Sequence, residues 1–175
     1  MKPSRRKKTT LRTDELRMQF VIRLARRNVQ RNSGGPFGAA VFDLKTGRLL
    51  GSGVNRVVSK NDPTAHGEMT ALREACRKAK TYSLKAGKIE AGLYASAEPC
   101  GMCCTAILWA GIQAVFCAAA TSDVEAIGFD EGLKPDDWAR SLSRRGVSVT
   151  KGLLRDEAVL VLKEYRRKGG RIYNG

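Results

Sequence analysis

GLYASAEPCGMCCTAILWAGIQAVFCAA, residues 92–119, is the stretch on which the fold turns. Gly92 to Ala97 is a short run of small and apolar residues that reads as a buried strand. Pro99 then opens a helix, because the first helical turn tolerates a missing backbone N–H. Cys100 and Cys103 stand three apart on one face of that helix, so both sulfurs can reach one point in space. Cys104 lies about 100° further round, which makes it a poor companion to the pair. Ile107, Leu108 and Trp109 are expected to carry the helix into the core. Gly111 stops it, and Gln113 to Ala119 returns as a second strand.

Upstream, Thr13 can cap a helix whose first turn holds Asp14 and Glu15, both favourable against the helix dipole. Leu16, Phe20 and Leu24, with Val21 and Ala25, form an apolar stripe, and Ser33-Gly34-Gly35-Pro36 ends the helix. Phe37–Asp43 and Arg48–Val54 read as a hairpin about the turn Lys45-Thr46-Gly47. The loop from Asn55 to Pro63 leads to a helix beginning near Ala65, with Asp62 or Thr64 as its cap and Ala71, Leu72 and Ala75 as its buried side. Downstream, a polar loop precedes a short strand at Gly146–Thr150 and a helix from Leu153 to about Lys168. A hairpin followed by alternating helices and strands predicts a three-layer α/β/α domain around a central mixed five-stranded sheet.

At 42% hydrophobic and 28% charged residues, the 175-residue chain is expected to form one soluble globular domain. Its net charge of +15 is unevenly placed. Residues 1–31 carry +9 and residues 163–175 carry +4, while 32–162 carry only +2. Residues 1–12 are expected to be a solvated basic tail, residues 13–175 the folded domain, and basic ends of this kind can bind nucleic acid weakly. The first ten residues lack an apolar core behind their charges, so no secretory signal is expected. No apolar run reaches the roughly 18–20 residues of a membrane span. Five cysteines, an odd number, without an export signal point to reduced thiols and a cytoplasmic setting. Cys76, Cys104 and Cys117 read as small core residues.

His66 is the single histidine, two residues before Glu68 in Pro63-Thr64-Ala65-His66-Gly67-Glu68. With Pro99-Cys100-Gly101-Met102-Cys103 this gives H-x-E followed by P-C-x-x-C. One imidazole and two thiolates suit Zn2+, and three protein ligands leave the fourth tetrahedral position open for a water. Glu68 is close enough to manage the protons of that water, which makes it the expected catalytic base and acid. A structural zinc would need a fourth protein ligand recruited from Cys76, Cys104 or Cys117. A redox dithiol at Cys100 and Cys103 would leave His66 and Glu68 unexplained. Glu98 is expected to point away from the metal into backbone hydrogen bonds.

H-x-E with P-C-x-x-C is the signature of zinc deaminases acting on nucleobases. Asn61–Glu68, Ser96–Cys103, Ile107-Leu108-Trp109-Ala110, Gly35–Ala40, Asn55-Arg56-Val57 and Asp123–Gly132 together resemble the small bacterial guanine deaminases of the cytidine-deaminase-like superfamily. The chain looks closest to a subgroup that also accepts triazines such as ammeline. That resemblance implies hydrolysis of guanine to xanthine and ammonia, with ammeline or guanosine as alternative substrates. It implies that Asn55 hydrogen-bonds the base, that Phe129 stacks on it, and that Phe37 helps wall the pocket. Glu131 matches a second acidic residue that contacts substrate and assists proton movement. Tyr173 matches a tyrosine of a closing tail, residues 169–175, which in relatives often belongs to the partner of a domain-swapped homodimer. Gly67 stands where the family usually has alanine, which would remove a methyl beside the base. Two other readings remain open at this point: a tRNA adenosine deaminase, and a non-catalytic zinc-stabilised basic module that binds nucleic acid.

Overall fold

A strand buried on both faces needs helices above and below it, and the 92–119 stretch supplies the first of them. The computed structural model describes residues 10–173, so residues 1–9 of the expected 1–12 tail and the last two residues lie outside the described part. β3 (Ala91–Ala97) is buried throughout, α4 (Gly101–Trp109) crosses over, and β4 (Ala114–Ala119) pairs parallel to β3. β1 (Gly38–Asp43) lies antiparallel to β3 on its other side and antiparallel to β2 (Leu49–Val54). β5 (Ser148–Thr150) closes the order β2-β1-β3-β4-β5, the five-stranded mixed sheet the sequence predicts.

Alternation along the strands separates two cores. Ala39, Val41, Leu93 and Val115 face one side, where α3 (Gly67–Ala79) and α4 contribute Leu72, Ala75 and Ile107. Ala40, Phe42, Tyr94 and Ala118 face the other, covered by α1 (Asp14–Gln30) and α7 (Arg155–Arg167). Tyr94 ties layers together. Its hydroxyl accepts from Arg17 Nη1 at 2.8 Å and donates to Asp14 Oδ1 at 2.6 Å, while its ring stacks on Phe116.

Several local expectations shift. α1 buries Met18, Val21, Ile22, Ala25 and Val29, whereas Leu16 is 46% exposed. Periodicity fixes that a helix has an apolar face; the Arg17–Tyr94 contact helps decide which of two overlapping stripes turns inward. Trp109 is 76% exposed rather than in the core. Cys103 and Ile107 fix the inward face of α4, and Trp109, two residues beyond Ile107, falls roughly 200° round the helix. Asp62 and Thr64 do not cap α3; Asp62 Oδ1 instead accepts from the Thr64 N–H at 2.8 Å, and His66 is the residue at the cap. Pro99 precedes the cap of α4, which is Cys100. The polar loop after β4 contains α5 (Thr121–Glu125) and α6 (Trp138–Ser143), with Trp138 in the core. The 55–63 loop holds one further turn of helix, α2 (Val57–Lys60). At the start of the described residues the chain is already tied down, since the Leu11 N–H donates to Gly47 O at 2.9 Å.

α3 approaches β2 so closely that the strand carries glycine at the contact. A Cβ on Gly53 would stand 2.6 Å from Thr70 Cβ and 2.7 Å from Ala71 N. Gly53→Val is therefore expected to lower the unfolding free energy by about 1–3 kcal/mol, the usual range for forced overpacking. Urea denaturation of the two proteins checks this.

Candidate functional site

Two helices start at the same end of the sheet, and each starts on a sulfur or nitrogen ligand. His66 caps α3 with φ −67° and ψ 158°, and Cys100 caps α4 with φ −71° and ψ 174°. Extended caps of this kind swing the side chain clear of the helix, and the two convergent helix N-termini favour anionic thiolates. His66 Nδ1 lies 3.6 Å from Cys100 Sγ and 3.8 Å from Cys103 Sγ. The three ligand atoms all fall within 4.8 Å of one another.

This donor set fits zinc. With Zn–N near 2.0 Å and Zn–S near 2.3 Å, a tetrahedron has an N···S edge of roughly 3.5 Å. The observed spacings are close to that edge. Cys104 stays out of the group, its sulfur facing the Pro99 carbonyl at 3.7 Å. A hydrogen bond from Cys103, then one from His66, brings the Cys100 thiol down to about 4 even though burial opposes it. Cys103 moves up, because it holds the proton the pair shares and is itself buried.

A cavity of about 690 Å³ opens beside the ligands. Of the residues singled out in the sequence, His66, Glu68, Cys100, Phe37, Asn55, Phe129, Glu131 and Tyr173 all line it. Cys103 sits behind Cys100, fully buried. Gly67 is not brought to the cavity. A Cβ there would lie 3.3 Å from the Gly38 carbonyl carbon, so a methyl at this position would press on the end of β1 at the cavity wall.

Glu68 is buried, and burial followed by the nearby Cys100 charge raises its carboxyl above the ordinary range. Glu131 is raised to about 7 by burial, although Lys134 pulls the other way. Asn55 is almost wholly buried; its Oδ1 accepts from the Val57 N–H at 3.3 Å and its backbone carbonyl from Asn28 Nδ2 at 2.9 Å. Phe129 is packed by three rings, Phe37 at 5.1 Å, Tyr173 at 4.9 Å and Tyr165 at 6.0 Å. Tyr173 brings the C-terminal segment into the cavity wall, against Phe129. Gly35 makes room for it, since any side chain there would collide with the Tyr173 hydroxyl. Glu131 Oε2 and Tyr173 Oη are buried and make no hydrogen bond, an arrangement expected of groups awaiting a ligand.

Sequence reasoning missed the cations behind the site. Glu98 does turn away from the ligands and accepts from the Thr121 N–H at 3.3 Å. It also meets Lys151 Nζ at 2.7 Å and Lys134 Nζ at 3.8 Å, and burial is outweighed by these partners, so its carboxyl stays below the usual range. Lys134 Nζ lies 3.7 Å from Glu131 Oε2 as well, and 5.2 Å from the Trp138 ring. Nothing in the local sequence marks Lys134 as a buried partner of Glu98, or brings the half-exposed Lys151 to the same carboxylate.

Comparison with known proteins narrows the family. Residues 11–119 match the family described as the cytidine and deoxycytidylate deaminase zinc-binding region. The chain is 43% identical over 114 residues to a guanine deaminase of Bacillus subtilis, covering 65% of this chain and 69% of that protein. It is 33% identical over 137 residues to a tRNA-specific adenosine deaminase of Buchnera aphidicola, covering 78% and 83%. Among solved structures, a guanine deaminase from Nitrosomonas europaea superposes with a TM-score of 0.89 at 44% identity, covering 93% of this chain and 89% of the other. A structure of NE0047 in complex with 2,6-diaminopurine superposes with a TM-score of 0.91 at 45% identity, covering 97% and 89%.

The folded chain is expected to hold one zinc ion. His66→Ala is expected to lose it, and elemental analysis of purified protein measures both.

Proposed function

This chain belongs to the cytidine and deoxycytidylate deaminase family and is a hydrolytic deaminase, and from that premise we propose that it converts guanine and water to xanthine and ammonia. The observation that carries the proposal is the meeting, in one tail-closed cavity, of the zinc ligand set, two buried carboxylates and a wall of aromatic rings. Relatives named guanine deaminase, at 43–44% identity, support the same substrate, and the tRNA-specific relative is more distant.

Zinc, when bound by His66, Cys100 and Cys103, supplies the Lewis acidity that makes water reactive near neutral pH. Glu68 takes a proton from the attacking water and delivers it to the departing amine. One carboxylate used first as base and then as acid contributes roughly 10²–10⁴-fold in rate. Asn55 hydrogen-bonds the base with a side chain that offers both donor and acceptor. Glu131, whose Oε2 makes no hydrogen bond, takes a donor from the substrate and helps move protons. Phe129 and Phe37 give the ring apolar contact. Tyr173 narrows the cavity beside Phe129, which favours a free base over one still attached to RNA. Ammeline and guanosine remain substrates to be ranked beside guanine.

Glu68→Gln is expected to keep its zinc and to lose at least about 10²-fold in kcat, consistent with loss of a proton carrier. An ammonia-release assay over guanine, guanosine, ammeline, adenine and cytidine measures this and ranks the substrates. Turnover of Glu68→Gln within a few-fold of wild type would remove Glu68 from the mechanism.

We also propose a homodimer. Trp109 and Tyr82 are 76% and 86% exposed, and their segments are joined by the Leu84 N–H donating to Ala110 O at 2.8 Å. Large exposed aromatic side chains on joined segments are expected of a contact surface. Trp109→Glu is expected to sediment as a monomer where wild type sediments as a dimer. Five free cysteines accord with a cytoplasmic setting, and no described helix is long and apolar enough to cross a membrane.

A further inference from the structure

The basic excess lies at opposite ends of the sequence, yet the fold brings the ends together. α1 and α7 cover the same face of the sheet, and Lys168 Nζ donates to the Val29 carbonyl at 3.4 Å. Arg26 Nε stands 4.0 Å from Glu164 Oε2. Residues 23–31 hold four arginines and no acid, and residues 163–171 hold five cations and one acid, so the joined segments carry +8.

These charges face outward. Val21, Ala25 and Val29 on α1 and Ala158, Leu162 and Tyr165 on α7 turn toward the sheet. Arg23, Arg27 and Arg31, with Lys163, Arg167 and Arg171, are exposed. Among the described residues of the two segments, Arg26 is the one cation with a carboxylate within 4.0 Å. Like charges gathered this way repel one another and weaken the fold unless a counter-charge is supplied from outside.

We infer that the C-terminal halves of α1 and α7 form one polycationic surface that binds the phosphate backbone of a nucleic acid. A membrane is the poorer partner. An interfacial helix needs large apolar side chains beside its cations, and the exposed ones, such as Leu16 and Leu160, fall outside both segments. No exposed aromatic ring lies in either segment to stack on a base, so contact is with phosphates and carries no sequence readout. The nucleic acid is not the deaminase substrate. The chain leaves this surface at Lys168, is held where Tyr165 Oη donates to Arg171 O at 2.6 Å, and then seats Tyr173 in the cavity.

The test is fluorescence anisotropy of the full chain with a short labelled single-stranded RNA and, separately, with phosphatidylglycerol vesicles. If about four phosphates are neutralised, affinity for RNA falls about 50-fold between ~50 and ~200 mM salt. Combined Arg23→Glu, Arg27→Glu, Lys163→Glu and Arg167→Glu is expected to abolish RNA binding at the lower salt while zinc content and melting temperature are kept. Should the reversed chain not fold, the four glutamine substitutions replace it, with loss of most binding expected. A folded variant that binds RNA as tightly as wild type overturns the proposal. So does a wild-type chain that binds the vesicles and not the RNA. Zinc content and melting temperature do not depend on the substrate, so an error about guanine leaves this result readable.

Discussion

Two helices that begin at one edge of a sheet, each with a metal-type side chain at its cap, set the terms for everything else in this molecule. His66 and Cys100 are both extended residues at the point where backbone N–H groups are still unpaired. That position gives each side chain a fixed origin and a favourable field for negative charge. Cys103, one turn into α4, completes the set from the helix itself. The close contact of α3 with β2, through Gly51 and Gly53, holds the first ligand at the right height over the second. A shift of α3 along the sheet would separate His66 from the sulfurs.

Behind this centre lies a set of buried charges that joins distant parts of the chain. Glu98 ends β3 just before the ligand cysteine and is held by Thr121, Lys151 and Lys134. Lys134 also reaches Glu131, so one cation connects the carboxylate beneath the ligand loop with the carboxylate in the cavity wall. Buried ion pairs are weak sources of net stability, because desolvation offsets much of their attraction. Their effect here is positional. Removing Lys134 would take the nearby cation from Glu131 while Glu98 kept Lys151.

The cavity is finished by a segment from the far end of the chain. Tyr173 packs edge-on against Phe129 and lies over Gly35, between walls contributed by residues far apart in sequence. The same pairing of α1 with α7 that directs this tail inward gathers the basic ends on the outside. Closure of a small cavity and display of a cationic surface thus share one structural cause.

The sequence alone determined the strands, the main helices and the two short motifs that carry His66, Glu68, Cys100 and Cys103, because each is a local matter. Spacing of three puts two cysteines on one helical face, and a buried strand announces itself by composition. Asn55, Phe37, Phe129, Glu131 and Tyr173 were legible through resemblance, since no local pattern makes them neighbours. What tertiary structure decided was direction and partnership. It turned Met18 inward and Leu16 outward, left Trp109 on the surface, placed Gly67 against β1, and made Lys134 and Lys151 partners of Glu98. Periodicity tells a helix that it has a face, but only the surface it packs on can choose which one.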